Sequence, residues 1–245
     1  MKKLTLILCF FACVGQLAAQ HDTVFVQPKT TNNIVRFAVP AALIGYGVVT
    51  RVSTPLQNFD HRIDAKLNTH YHSYHFDNYT LFAPYIAIYG LDWCGVRAKH
   101  SFWERSFVAG AAGVATIAAV TVTKHLTHVQ RPDKSNCHSF PSGHTAIAFA
   151  GAHILFREYQ DISPWIGVAG YTVAATTGAM RMVNHKHWLS DVVTGAGVGI
   201  LAAELSYQLL PVWNRLFNLQ SRQTSFTIAP LLSPDYYGIG VSWGL

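Results

Sequence analysis

Apolar residues recur along this chain in long runs separated by short polar intervals, a pattern of helices rather than strands. After an N-terminal run from Leu4 to Val14, apolar stretches occupy Ile34 to Thr50, Leu81 to Val96, Ser106 to Thr123, His144 to Phe156 and Trp165 to Met180. A sixth runs from Asp191 to Leu210. Their Gly and Ala content, with Gly195 and Gly199 four residues apart, suits helices that approach closely. The expected architecture is an all-α helical bundle with five or six apolar helices, embedded in a membrane. Several stretches are shorter than the roughly 20 residues that cross a bilayer, so a compact soluble bundle is the other architecture the pattern allows. The C-terminal tail reads differently. Tyr237, Ile239, Val241, Trp243 and Leu245 alternate with Gly238, Gly240, Ser242 and Gly244 at the period of a strand. With Ser225 to Ala229 and the Ser233-Pro234-Asp235 turn, they predict a short β-hairpin.

The polar intervals divide the chain. Met1-Lys2-Lys3, the apolar run behind them and the small residues up to Gln20 have the three parts of a secretory signal peptide over residues 1–20. Residues 21–80 then hold one apolar segment and a polar, His-rich interfacial loop, residues 81–215 the main bundle, and residues 216–245 a tail. Arg97, Lys99 and Arg105 cluster after the second stretch, and Arg215 and Arg222 follow the last. The positive-inside rule puts both clusters in the cytoplasm and the loops after Thr123 and Met180 together on the outer face. That predicts an inner-membrane protein of the cell envelope with those loops in the periplasm. An exported His21 conflicts with a full crossing by Ile34 to Thr50. That segment contains Arg36 and Pro40 and precedes a polar stretch, so it is expected to lie in the outer interface.

Composition supports the membrane. Only 12% of the 245 residues are charged and 50% are hydrophobic, against about a quarter charged in an average globular domain. The formal charge of +6 is scattered, with no basic stripe interleaved with aromatics, which argues against nucleic acid as a partner and for anionic phosphate or lipid headgroups. His61, His70, His72 and His75 invite a metal reading, but their spacing fits no zinc pattern and no Cys or carboxylate pair completes a site. Beyond the signal only Cys94 and Cys137 remain, too few for a disulfide scaffold, although an exported pair could bond.

Three blocks carry candidate chemistry. In Lys124-His-Leu-Thr-His-Val-Gln-Arg131-Pro132, residues seven apart share a helix face, so Lys124 and Arg131 can point at one place, and Pro132 should end the helix there. In Phe140-Pro141-Ser142-Gly143-His144, Pro141 and Ser142 are helix-start residues; a helix N-terminus offers free N–H groups to an anion, with His144 in its first turn. In Met180-Arg181-Met-Val-Asn-His-Lys-His187-Trp-Leu-Ser-Asp191, a helical spacing of four lets the Asp191 carboxylate hold one imidazole nitrogen of His187 and leaves the other nucleophilic. Each block alone also reads as an ordinary capped or basic helix end.

Together the blocks resemble the three signature motifs of the type 2 phosphatidic acid phosphatase and vanadium haloperoxidase superfamily. The match runs in order through Lys124, Arg131, Pro132, Pro141, Ser142, Gly143, His144, Arg181, His187 and Asp191, within a stretch from about Ser106 to Leu210. The resemblance implies a phosphatase needing no metal or other cofactor. In it Lys124, Arg131 and Arg181 bind the phosphate with Ser142 and Gly143, His187 attacks phosphorus, Asp191 orients His187, and His144 protonates the leaving oxygen. The implied substrate is a membrane lipid phosphate: a phosphate of lipid A, undecaprenyl pyrophosphate, phosphatidylglycerol phosphate or phosphatidic acid. The resemblance leaves two other readings, a vanadium-dependent haloperoxidase and a catalytically silent lipid-headgroup binder. One departure stands out, because Met180 occupies the place where the family usually has Ser.

Overall fold

The computed structural model describes residues 33–67, 76–217, 225–233 and 236–244, all within one compact unit, Asn32–Leu245. The expected signal segment, His70, His72, His75 and Arg222 lie outside the described residues. Eight helices follow in order among them: α1 Asn33–Val52, α2 Thr54–Leu67, α3 Asp77–Thr80, α4 Ala83–Trp93, α5 Phe102–Thr127, α6 Gly143–Tyr159, α7 Pro164–Val183 and α8 Leu189–Phe217. Strands β1, Ser225–Ser233, and β2, Tyr236–Gly244, pair antiparallel with Ser225 opposite Gly244 and Ser233 opposite Tyr236.

Local chemistry sets several helix ends. Ser101 and Glu104 form a reciprocal capping box at the start of α5, Glu104 N donating to Ser101 Oγ at 3.4 Å and Ser101 N to Glu104 Oε2 at 3.0 Å. At its other end His128 turns left-handed, with φ of 48°. The helix therefore stops at Thr127, a turn before Arg131, which lies in the loop that follows. The expectation that Lys124 and Arg131 share a helix face is corrected accordingly: the reversal at His128 precedes the break that Pro132 would have imposed.

Helix α6 is central, packed against α4, α5, α7 and α8. Its buried residues are mostly small, including Ala146, Ala148, Ala150, Gly151 and Ala152, so backbones come close. A Cβ built on Gly199 of α8 would stand 2.1 Å from the Ala146 carbonyl oxygen, and one on Gly195 would stand 2.5 Å from that of Ser142. Both obstacles are backbone and cannot rotate away. Gly199→Ala is therefore expected to destabilise the fold by about 1–3 kcal/mol through overpacking. Gly45→Ala, where nothing lies within 4 Å, should be neutral or slightly stabilising. Thermal unfolding in detergent compares the two, and equal melting temperatures would contradict the packing argument.

Near the C-terminal end of α6 a buried polar network joins three parts of the chain. Arg157 donates to both oxygens of Glu204 at 2.6 and 2.7 Å, His153 Nε2 lies 2.8 Å from the same carboxylate, and His100 Nδ1 lies 2.8 Å from Glu158 Oε1. Taking these groups out of water offsets much of what their pairing contributes to stability.

One expectation about the membrane is revised. Among the described residues only α5 and α8 are long and apolar enough to cross a bilayer, or three spans if the α1–α2 pair, bent by 100°, counts as one. Five or six was too many: α4 has 11 residues and α6 has 17, while Gly, Thr and Arg181 dilute the apolar face of α7. Helix α1, expected in the outer interface, is packed on α8. Gly47 abuts Thr194, and Gly197 abuts the Pro40 carbonyl and the side chains of Leu43 and Ile44, so α1 runs lengthwise and antiparallel against α8. The missing Cβ atoms are what permit that approach. It is α2 that turns across the end of the bundle.

Candidate active site

The C-terminal end of α5, the N-terminus of α6, the C-terminal end of α7 and the N-terminus of α8 meet at one end of the bundle. Two loops close it. The 128–142 loop is tied to the 184–190 loop by Asp133 N to His185 O at 3.1 Å, Lys186 Nζ to Asp133 Oδ2 at 2.6 Å, and Trp188 Nε1 to Gln130 O at 2.9 Å. Burial works against the charged form of Asp133, but hydrogen bonds from Lys186 and Ser135 outweigh it and hold the carboxyl down to about 2. The carboxylate end of the tie is therefore charged near pH 7.

His187 is not on a helix. It sits in the loop just before α8, 2% exposed, with Nδ1 3.6 Å from Asp191 Oδ2. Ser139 bridges the pair: its Oγ donates to Asp191 Oδ2 and lies 3.4 Å from His187 Nδ1. The same carboxylate oxygen accepts Trp188 N at 2.9 Å, so Asp191 both caps α8 and faces the imidazole. Asp191 O also accepts Ser142 N at 3.0 Å, locking the second block to the third. With Nδ1 committed to this side, Nε2 is the ring atom left for chemistry. Burial, helped by the charges of Lys124 and Arg181, outweighs Asp191 and pulls His187 down to about 4. The imidazole is neutral and nucleophilic near pH 7.

The cations converge on this group. Lys124 Nζ donates to the carbonyls of His138 and Ser139. Arg131 is half-buried, and burial together with the neighbouring Arg181 pulls its guanidinium down from its usual range. Like charges side by side disfavour one another's charged form, which an anion placed between them would relieve. The buried Nε atoms of Arg131 and Arg181, and Oδ1 of Asp191, have no hydrogen-bond partner. Buried polar atoms are seldom left so, and the two guanidinium edges suit an oxyanion. Ser142 is fully buried at the start of α6, its Oγ accepting from Thr145 Oγ1 at 2.9 Å rather than capping the helix. The first-turn N–H groups from Gly143 onward have no intrahelical acceptor and are available to an anion.

His144 occupies the first turn of α6, with Nε2 2.9 Å from Asn78 Oδ1. Burial, then the charges of Arg181, Arg131 and Lys124, pull it down to about 4, against the opposing charge of Asp77. A dianion bound beside these cations would offset their field and make the imidazole easier to protonate.

The polar stretch Arg51 to Thr80, read from sequence as a solvated interfacial loop, supplies much of the support. Asp60 on α2 is 3% exposed; its Oδ1 accepts Ser190 N at 3.2 Å, and its Oδ2 accepts Ser190 Oγ and lies 3.3 Å from Arg51 Nη2. Asp64 pairs with His185 Nδ1 at 2.8 Å. Among the described residues no group of His, Cys, Asp or Glu is placed to hold a metal ion. Asp77 on α3 pairs with Arg181 Nη1 at 2.6 Å. His61 meets Trp188 edge-on at 4.5 Å, beside a cavity of about 470 Å³ that Arg51, Gln57 and Gln130 also line. Cys94 and Cys137 are both free and exposed, so the disulfide allowed by sequence does not form. Sequence reasoning missed Asp60, Asp77, Asn78 and Ser139. Asp60 and Asp77 had a local signal, Asp in a nominally solvated loop, and Asn78 and Ser139 had none.

All eight residues singled out from sequence thus contribute to this end of the bundle. Residues 103–215 match the PAP2 superfamily. Over 132 residues, 54% of this chain, the sequence is 43% identical to the lipid A 1-phosphatase of Porphyromonas gingivalis, and the chain covers 30% of that protein's length. The fold resembles the crystal structure of a transmembrane PAP2 type phosphatidylglycerolphosphate phosphatase from Bacillus subtilis, with a TM-score of 0.52 at 18% identity over 73% of this chain and 97% of that one. Aquifex aeolicus LpxE aligns with a TM-score of 0.47 at 21% identity over 60% of this chain and 93% of that one.

Proposed function

We propose that this chain is a phosphoric ester hydrolase that removes phosphate from a membrane lipid through a phosphohistidine on His187. The observation that carries the reading is the pairing of an Nε2 left open by Asp191 and Ser139 with two buried guanidinium edges that lack a partner. In the first step the Nε2 lone pair attacks phosphorus while the bond to the lipid oxygen breaks. That oxygen keeps the electron pair and takes a proton from His144. In the second, His144 removes a proton from water, the hydroxyl attacks phosphorus, and the N–P bond returns its electrons to His187. Lys124, Arg131 and Arg181 neutralise the phosphoryl oxygens throughout, the work that magnesium does in many kinases and nucleotide triphosphatases.

The name of the relative from P. gingivalis supports a lipid A phosphate as the leading substrate, and the long apolar helices support a membrane setting. Undecaprenyl pyrophosphate, phosphatidylglycerol phosphate and phosphatidic acid share the same reacting group. The purified chain is expected to release phosphate from at least one of these four lipids with EDTA present, lipid A 1-phosphate fastest. No release from any of them, or loss of release in EDTA, would contradict the reading. We further propose that the site faces the periplasm, since Arg97 and Lys99 lie at the opposite end of α5. Cysteine placed at the exposed Ser135, in a background lacking Cys94 and Cys137, should then react with an impermeant thiol reagent in intact spheroplasts. Protection until the cells are lysed would reverse the orientation.

A further inference from the structure

A four-residue helix, α3, holds two of the site's working groups at once. Asp77, 1% exposed, lies 2.6 Å from Nη1 of Arg181, and the adjacent Asn78 presents Oδ1 2.9 Å from Nε2 of His144. The helix is fixed behind them by Thr177 Oγ1, which donates to Thr80 Oγ1 at 2.8 Å. Asp77 engages Arg181 on Nη1, while Nε is left buried and unpartnered. The contact with Asn78 has the same logic on a different group. An amide oxygen accepts a hydrogen bond and has no proton to give up at any ordinary pH, so it fixes which imidazole nitrogen carries a proton.

We propose that Asn78 is a positioning residue for the leaving-group acid, its amide oxygen holding the Nε2 proton and ring plane of His144 so that the ring can serve the departing lipid oxygen. This rests on the phosphatase reading above. The physical need is specific. His144 is surrounded by Arg181, Arg131 and Lys124, all of which oppose its protonation, while the Asp77 carboxylate favours its charged form and the Asn78 oxygen lies 2.9 Å from its Nε2. A lipid alkoxide is a poor leaving group and needs the proton in the transition state, whereas a nitrophenolate does not. Asn78 should therefore matter in proportion to how badly the leaving group needs the acid.

The test compares wild type, Asn78→Ala and Asn78→Asp on the lipid phosphate of the four above that wild type hydrolyses fastest, and on 4-nitrophenyl phosphate. Asn78→Ala is expected to lose about tenfold or more in kcat on the lipid beyond any loss on the nitrophenyl ester. The alkaline limb of its kcat profile should move to lower pH. Asn78→Asp sets a carboxylate against the same nitrogen, favours the imidazolium, and should carry that limb to higher pH by about one pH unit. A purely structural role would depress both substrates alike and leave the limbs in place, which would overturn the proposal. So would a rise in kcat/KM for Asn78→Ala, which would mean that the amide blocks the leaving group's place. Failure of wild type to hydrolyse any of the lipids would sink the phosphatase reading and this inference with it. Normal wild-type turnover with unaltered Asn78 variants would sink this inference alone.

Discussion

Replacement of His187 by alanine is expected to lower kcat by at least about a thousandfold on every substrate, because it removes the atom that bonds phosphorus. The side chain is 2% exposed in a loop and not part of the helical core, so the melting temperature should stay close to that of wild type. Wild type quenched during turnover of a 32P-labelled substrate should retain label on protein, stable in base and lost in acid, as an N–P bond requires, and the variant should retain none. Asp191→Asn tests the same geometry from the other side. It keeps the shape but presents either an amide donor or a weaker acceptor where Oδ2 now faces Nδ1, Ser139 and Trp188. The loss should be large and should persist on the nitrophenyl ester. Near-normal turnover by a folded His187→Ala protein would end the phosphohistidine mechanism.

The second large effect belongs to His144 and depends on the leaving group. Its alanine variant should lose about a hundredfold or more on a lipid phosphate and far less on 4-nitrophenyl phosphate, since general acid catalysis contributes on that scale only where a proton is needed. The pH profile follows from the two imidazoles. Both are held to about 4 in the unliganded site, chiefly by burial. His187 is therefore neutral and ready across the neutral range, and activity should fall on the acid side only as the pH approaches 4. His144 must carry a proton once phosphate is bound. That proton arrives with the phosphate monoanion or is taken up as the dianion cancels the cation field, so lipid turnover should decline above about pH 6, where the second phosphate proton is lost. The decline should be absent or shallower in His144→Ala acting on the nitrophenyl ester. Equal losses on the two substrates would count against the acid role.

The blocks around Lys124, Ser142 and His187 were legible because each places its polar residues within a few positions of one another, and because a Pro or a helix start signals the end of an apolar run. The structure keeps the residues and changes their settings. His187 and Asp191 meet across a helix N-terminus and not along a helix face, with Ser139 from a distant loop between them. Arg131 reaches the site from a loop because His128 reverses the chain three residues earlier. Backbone reversals of this kind depend on a single residue's φ, which hydrophobic periodicity does not encode.

What the sequence by itself determined is the identity and local order of the candidate groups: the cations, the two imidazoles, the carboxylate and the helix start between them. It also determined that the bundle would be helical, since apolar runs of that length leave the backbone no other way to satisfy its hydrogen bonds away from water. The tertiary structure decided which partners hold those groups. Asp60, Asp77 and Asn78 lie 104 to 130 positions or 66 positions from the residues they grip, and nothing in their neighbourhood separates them from the polar residues of a solvated loop. It also decided that α1 lies along α8, through glycines whose value is in the atoms they lack. Both decisions come from close contact between segments far apart in the chain, and such contacts are fixed only when the helices have found their mutual packing.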